Sequence, residues 1–183
     1  SALVNLLILP KRPAQSAEAY RKIWTDRGSP LMAYHLDLTE GVRTALAGEY
    51  LVEPAMRYGN PSISLGMDRL KAAGAREILV VPLYPQYSLA ATESTVQECR
   101  EWVTRNPLAD GSKLKIQFFP AFYRASHFIE AFARVAEKHL GDYEHEHLLF
   151  SFHGLPERHV RKTDRTGAHC LQASSCCEEM SAA

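Results

Sequence analysis

Apolar and polar segments alternate along the chain in a pattern that predicts strands and helices following one another in turn. Short apolar runs are typical of buried strands, and residues 3–9 and 78–81 are the clearest of them. Residues 114–118 alternate between apolar and polar, which also predicts a strand. Further strands are predicted at residues 49–56, where Pro54 weakens the pattern, and at residues 147–152.

Between these strands, apolar residues recur every three or four positions, as on one face of a helix. The second of the helical segments ends near Gly48, and Gly74 stands where a C-terminal cap of the third would fall. Asn106 and Pro107 would stop the fourth. The predicted helices lie around residues 17–24, 31–48, 63–70, 96–103 and 129–136.

This order of elements predicts an α/β fold with a parallel sheet between helices, because a crossover helix is the usual connection between parallel strands. Ligands of such sheets bind beyond the carboxyl ends of the strands. Three loops are expected there, at residues 57–61, 82–88 and 151–156.

Composition excludes several classes of protein. The 183 residues carry 21 basic and 21 acidic side chains, so the chain lacks the basic excess of a general nucleic-acid binder. No apolar run approaches the roughly 20 residues of a membrane-spanning helix. Four cysteines are too few for a disulfide scaffold of this length, which predicts a reducing, cytoplasmic location.

The usual nucleotide and hydrolase signatures are missing, so the candidate chemistry rests on other residues. No GxGxxG follows the first predicted strand, and neither a Walker A motif nor a GxSxG elbow occurs. His153 follows an apolar segment directly and precedes Gly154. A neutral imidazole at a strand end can accept a proton near neutral pH or bind a transition metal.

Four motifs in order along the chain resemble those of the ferrochelatase family. The segment FSFHGLP at residues 150–156 resembles the family signature, and VPLYPQYS at residues 81–88, continuing through TES at 92–94, resembles a second motif. AMRYGNP at residues 55–61 resembles a third. YRKIW at residues 20–24, with GSPL at 28–31, resembles a fourth.

The resemblance implies a three-layer, flavodoxin- or Rossmann-like chelatase domain that inserts Fe(II) into a porphyrin, protoporphyrin IX or coproporphyrin, in haem biosynthesis. Iron is then a substrate, and the chemistry itself requires no cofactor. The site must bend the macrocycle and accept two pyrrole protons. The resemblance assigns His153 as proton acceptor, iron ligand or both. It also matches other residues to porphyrin-contacting or cleft-lining positions: Arg12, Tyr20, Ser29, Tyr87 and Ser88.

Three cysteines crowd the C-terminal region, where some bacterial members of the family hold a [2Fe-2S] cluster. By this resemblance Cys170, Cys176 and Cys177 are candidate cluster ligands. A cluster needs four thiolates, so the fourth would be Cys99 or lie beyond Ala183. Cys99 falls on a predicted buried helix face, where packing as a small apolar side chain is the alternative to binding a cluster.

The resemblance divides the chain into a chelatase-like domain at residues 1–156 and a cysteine-containing segment at 157–183. The family's second similar domain, with an acidic residue facing the histidine, is not in this sequence. We therefore expect a fragment that is inactive or weakly active alone. Two alternatives stay open: a chelatase that inserts cobalt or nickel into another tetrapyrrole, and a non-catalytic tetrapyrrole-binding domain. No residue in the sequence supports contact with a membrane, and whether the longer protein makes such contact stays open.

Overall fold

A computed structural model describes residues 12–141, 143–164, 166–172 and 176 of the chain. The chain divides into two compact units, Ser1–Ala75 and Arg76–Ala183. The predicted strand at residues 3–9 lies outside the described residues. Among the described helices, none combines the length and the apolar composition that crossing a membrane requires.

The first unit contains three described helices. Two of them lie close to where the sequence predicts them, whereas the first ends at Arg21, so residues 22–24 of the predicted helix around 17–24 are not helical. Ser29 precedes the second helix in an extended conformation and Pro30 opens it, a position where proline's missing N–H costs nothing. The Ser62 hydroxyl accepts a hydrogen bond from the N–H of Leu65 and so caps the third helix. Gly74 follows that helix with a φ of 89°, as predicted. The helices are α1 (Arg12–Arg21), α2 (Pro30–Ala45) and α3 (Ile63–Ala72).

The predicted strand at residues 49–56 is wrong, because side chains of neighbouring elements hold this segment in place of a ladder. Arg43 on α2 donates hydrogen bonds from Nε and a terminal nitrogen to the carbonyl oxygen of Val52, at 2.9 and 2.6 Å. Pro54 has no N–H to offer. Among the described residues, this segment's strand-like pairing is a single isolated bridge between Met56 and Ser62.

Gly66 lets this segment run close to α3. A Cβ at Gly66 would lie 3.4 Å from both the Ala55 side chain and the Pro54 carbonyl oxygen. Ile63 and Met67 on the same helix are buried, so the contact belongs to the small core of the first unit.

The second unit contains a parallel pair of strands joined through a helix, which confirms the α/β class. Ile78 lies opposite Ile116 and Val80 lies opposite Phe118. Both strands fall where the sequence places them, at residues 78–81 and 114–118. The described elements are β1 (Glu77–Val80), α4 (Ser94–Arg105), β2 (Lys115–Phe118), α5 (Ser126–Leu140) and α6 (Glu157–Thr163).

The core of the second unit lies along α4. Val96, Cys99, Trp102 and Val103 are buried on one face of this helix, as their spacing predicts. Leu114, just before β2, is also buried. The helix that follows the loop after β1 is therefore held in position by its apolar side.

The predicted strand at residues 147–152 is wrong as well. In the described chain this segment makes no ladder and is irregular. Leu149 is 92 % exposed and Phe152 is 83 % exposed, so the large apolar side chains of this segment are uncovered. A buried strand gains from covering its faces, and this segment obtains no such burial within its unit.

Candidate active site

The loops that follow β1 and β2 are tied together through backbone groups. The carbonyl oxygen of Pro85 accepts hydrogen bonds from the N–H groups of Phe122 and Tyr123, each at 3.0 Å. The N–H of Phe119 also donates to the carbonyl oxygen of Val80, at 2.8 Å. The loop at residues 82–88 is thus fixed at the carboxyl edge of the parallel pair, where α/β proteins bind ligands.

The same loop ends in a single wide turn of helix that joins it to α4. Residues Leu89–Glu93 form a π-helical turn, a geometry that recurs at functional sites. The Ser88 hydroxyl accepts from the N–H of Ala91 at 3.1 Å, and the N–H of Ser88 donates to the Thr92 hydroxyl at 3.3 Å. Ser88 therefore caps the turn, in addition to its predicted place in the cleft.

Tyr87 stands at the entrance of this turn with 42 % of its surface exposed. Its hydroxyl donates a hydrogen bond to Oε2 of Glu93, at 3.1 Å. The structure thus brings Tyr87 and Ser88 into one rigid element and adds Glu93, which the sequence analysis did not single out.

His153 lies in the irregular segment before α6 and is exposed. Pro156 precedes α6, and its carbonyl oxygen accepts from the N–H of His159 at 2.8 Å. The helix α6 therefore begins at Glu157, four residues beyond the imidazole. Arg161 and Lys162 in the last turn of α6 supply positive charge to this part of the unit.

The other predicted porphyrin contacts lie in the first unit. Tyr20 is on α1 with 59 % of its surface exposed. Ser29 is half-buried, and its hydroxyl makes no capping bond to α2. Arg12 begins α1, and its side chain is outside the described part of the chain.

The loop at residues 57–61 also lies in the first unit. The Arg57 guanidinium stands 4.6 Å from the centre of the Tyr58 ring, within the range of a cation–π contact. The N–H of Met56 donates to the carbonyl oxygen of Pro61 at 2.7 Å and closes the loop, with Asn60 exposed at its tip.

The cysteine segment is organised by Asp164. One carboxyl oxygen of Asp164 accepts from the N–H groups of His169 and Cys170, at 2.7 and 2.9 Å. The other accepts from the hydroxyl and N–H of Thr166. These bonds, led by the Thr166 hydroxyl, hold the pKa of Asp164 well below its usual range.

Cys170 and Cys176 are both buried in this segment. Desolvation, followed by the charges of Asp164 and Cys176, raises the pKa of the Cys170 thiol. The N–H of Leu171 donates to Sγ of Cys176 at 3.4 Å. The two thiols therefore belong to one loop.

The described residues do not complete a four-thiolate site. In the described ranges, no group of three histidine, cysteine or carboxylate side chains is placed to hold a metal ion, so Cys99 does not join Cys170 and Cys176. Cys177 lies outside these ranges. Because the fit is incomplete, no step of the chemistry below uses a cluster.

Sequence reasoning missed Glu93 and Tyr123. Glu93 falls inside the segment that carries the family resemblance, six residues after Tyr87, but its contact depends on a turn that periodicity does not predict. Tyr123 follows a strand end, which is a usable signal for a ligand-facing loop.

The fold and these loops define an α/β protein whose loops meet at the carboxyl ends of its parallel strands. The family model described as Ferrochelatase matches residues 1–182. The chain therefore belongs to the ferrochelatase family.

Curated relatives agree with this assignment. The chain is 46 % identical over 177 residues to a ferrochelatase of Azotobacter vinelandii, covering 97 % of this chain and 51 % of that protein. It is 41 % identical over 181 residues to one of Pseudomonas fluorescens, covering 99 % and 51 %. For one of Coxiella burnetii the identity is 37 %, covering 95 % and 47 %. The chain thus spans about half the length of these relatives, and no solved structure matches it.

Proposed function

We propose that the protein to which this chain belongs inserts Fe(II) into a porphyrin, protoporphyrin IX or coproporphyrin, in haem biosynthesis. Membership of the ferrochelatase family over residues 1–182 is the observation that carries the proposal. The tied loops after β1 and β2 support it, because they offer a rigid edge against which a flat ligand can be held. The exposed imidazole of His153 adds a proton acceptor.

The reaction replaces two pyrrole protons by one ferrous ion. Fe(II) enters, two protons leave, and charge balances with no change in the oxidation state of iron. His153 accepts a pyrrole proton, binds the incoming iron, or does both in sequence. A neutral imidazole suits each role, because its unprotonated nitrogen has a lone pair at neutral pH.

The porphyrin must be held and bent for its nitrogens to become accessible, and contacts far from the metal supply the energy. Arg12 pairs with a propionate in this proposal, as its guanidinium geometry allows. Tyr20 covers the macrocycle with its ring, and Ser29 offers a hydroxyl. Tyr87 and Ser88 line the cleft from the loop after β1.

The experiment is an anaerobic absorbance titration with free-base porphyrin and then Fe(II), on this chain and on the longer protein. We expect both to bind porphyrin and the longer protein to insert iron. His153→Ala should lower insertion by about 10²- to 10⁴-fold and keep porphyrin binding, because it removes a proton acceptor.

His145→Ala is the matched control. His145 is an exposed histidine of the same unit whose Nδ1 lies 2.7 Å from the carbonyl oxygen of Tyr143. Near-normal insertion by His153→Ala, or equal loss in both variants, would contradict the assignment.

Two other functions are decided by the same assays. A chelatase for cobalt or nickel would insert those ions faster than Fe(II) in a metal-competition assay. A non-catalytic tetrapyrrole-binding domain would bind porphyrin and insert no metal even in the longer protein.

The domain boundaries and the location belong to the proposal as well. Residues 1–156 form the chelatase-like domain, and residues 157–183 lead toward a second α/β domain that completes the site. The protein is cytoplasmic in this proposal, as its cysteine usage suggests. Pelleting of the longer protein with membranes would contradict that location.

A [2Fe-2S] cluster at Cys170, Cys176 and Cys177 is the finer part of the proposal. The placement of Cys170 and Cys176 in one loop supports it in part. The fourth thiolate has to come from polypeptide outside this sequence, because Cys99 does not join Cys170 and Cys176 in the described residues. Iron and acid-labile sulfide in equal amounts in anaerobically purified protein would support the cluster. Their absence, with every thiol free to react, would remove it.

A further inference from the structure

The hydrogen bond between Tyr87 and Glu93 spans the π-helical turn Leu89–Glu93, and the backbone holds both ends of it in place. The N–H of Glu93 donates to the carbonyl oxygen of Ser88 at 3.1 Å. The next N–H, of Ser94, is shared between the carbonyl oxygens of Ala91 and Leu89. The turn thus fixes the backbone from which the Glu93 side chain extends.

Side chains reinforce the turn from both sides. The Ser94 hydroxyl donates to the carbonyl oxygens of Ala90 and Ala91, at 2.8 and 3.1 Å. Thr95 and Val96, the next residues of α4, are buried. Since α4 packs through its apolar face, Glu93 stands at the start of an anchored helix.

The hydrogen bond to Glu93 limits what else the Tyr87 hydroxyl can bind. A tyrosine hydroxyl has one proton, and Tyr87 donates it to Glu93. A propionate of a porphyrin accepts hydrogen bonds and donates none when ionised, so it competes with Glu93 for that same proton. The carboxylate of Glu93 would also repel a propionate brought to this hydroxyl.

We propose that Glu93 is a positioning residue that accepts the hydrogen bond of the Tyr87 hydroxyl and so presents the Tyr87 ring, not its hydroxyl, to the porphyrin. The inference rests on the proposed function and deepens it. It assigns the half-exposed Tyr87 to contact with the flat macrocycle, and it assigns propionate binding to other residues. Aromatic rings meet flat ligands through offset or edge contacts whose strength depends on orientation.

The first test measures, without any ligand, how strongly the contact between Tyr87 and Glu93 holds the turn closed. Amide hydrogen exchange of residues 85–93 is compared in the unmodified chain, Glu93→Ala, Glu93→Gln and Tyr87→Phe. We expect Glu93→Ala and Tyr87→Phe to speed exchange in the turn by the same factor of about three to ten. Glu93→Gln keeps an acceptor oxygen and should exchange like the unmodified chain. Unchanged exchange in Glu93→Ala would overturn the positioning role.

The second test measures binding of a porphyrin dicarboxylate and of its dimethyl ester, which lacks the two negative charges. We expect Glu93→Ala and Tyr87→Phe each to weaken binding of both ligands about threefold to tenfold, with no further loss in the double variant and rescue by Glu93→Gln. Tyr87→Leu, which removes the ring, should lose more. Tighter or unchanged binding of the dicarboxylate by Glu93→Ala would overturn the inference. A loss in Tyr87→Phe confined to the dicarboxylate would also overturn it, because it would show that the hydroxyl binds a propionate.

Glu101→Ala is the matched control, because Glu101 is an acidic residue on an exposed part of α4 that pairs with Arg105 at 2.9 Å. It should change neither measurement, and an effect equal to that of Glu93→Ala would contradict a role for this particular contact. If the unmodified protein binds neither the porphyrin dicarboxylate nor its dimethyl ester, the proposed function fails, and so does the assignment of porphyrin as the ligand of the Tyr87 ring. The exchange test still decides whether the contact between Glu93 and Tyr87 stabilises the turn.

Discussion

Arg43 donates two hydrogen bonds to the backbone of Val52: its Nε and one terminal nitrogen both donate to the Val52 carbonyl oxygen, at 2.9 and 2.6 Å. The same guanidinium lies 3.4 Å from Glu53, and Glu53 in turn pairs with Arg69 at 3.2 Å. One arginine therefore connects α2 to the segment that leads into the loop at residues 57–61. Arg69 connects that segment to α3.

Replacing Arg43 by lysine tests this connection. An ammonium group is a point donor and cannot reproduce two directed bonds to one carbonyl oxygen. We expect Arg43→Lys to lower the free energy of unfolding of the first unit by about 1–2 kcal/mol, measured by urea denaturation. Arg57→Lys, on the same unit but away from Val52, should cost less, and equal losses would contradict the role given to Arg43.

Asp164 should control the reactivity of the cysteine loop. Asp164→Asn removes the charge and one acceptor oxygen from a carboxyl group that holds the N–H groups of His169 and Cys170. We expect the rate of thiol modification at the buried Cys170 and Cys176 to rise about tenfold or more, since opening the loop by ~1.4 kcal/mol multiplies exposure by ten.

The control for that measurement is Asp68→Asn, at an exposed position on α3 in the other unit. It should leave the thiol reaction rate unchanged. Equal rates in Asp164→Asn and the unmodified chain would contradict the part assigned to Asp164.

His35 should make the first unit sensitive to mild acid. Its Nε2 is buried and has no hydrogen-bond partner among the described residues, and burial lowers its pKa below the ordinary 6.5. The unfolded chain then binds a proton more readily than the folded one. The contribution to stability is complete above pH 6.5 and is lost as the pH falls through the folded pKa.

Two measurements check this. The imidazole signals of His35 in an NMR titration should move with a midpoint below 6.5, and His35→Gln should flatten the fall in unfolding free energy between about pH 7 and pH 5. His139→Gln on the exposed side of α5 should not. A midpoint at or above 6.5 would refute the burial effect.

Asp110 should stay ionised down to strongly acidic pH. Hydrogen bonds from the side chain and backbone of Ser112, and then from Arg76, lower its pKa to about 2. Its contribution to stability is present above the ordinary value of 3.8 and is lost as the pH falls through about 2. In Ser112→Ala, carboxyl carbon NMR shifts should show the titration midpoint of Asp110 moving upward, toward 3.8. The reason is that the two hydrogen bonds from residue 112 are weakened.

Local pattern predicted much of what the structure contains. β1, β2 and the buried face of α4 lie where periodicity places them, because each is built from neighbours in sequence whose spacing matches a strand or a helix. The loop that carries Tyr87 and Ser88 is also where the alternation predicts it. His153 stands out from sequence because an imidazole between an apolar run and a glycine is unusual.

The two strands that fail show what local pattern lacks. Residues 49–56 and 147–152 have apolar content suited to strands, but a strand exists only where a partner's N–H and C=O groups are in register beside it. At Val52 the Arg43 guanidinium, not a neighbouring strand, donates to the carbonyl oxygen. The segment through Leu149 finds no ladder among the described residues.

The sequence by itself determined the family, the α/β class and the residues that carry the resemblance, since these depend on order and spacing along the chain. The tertiary structure alone decided which side chains meet. Tyr87 reaches Glu93 because five residues adopt a π-helical turn, and Pro85 meets Tyr123 because parallel strands bring their following loops to one edge. Such contacts depend on hydrogen bonds between groups that the chain brings together only after it folds.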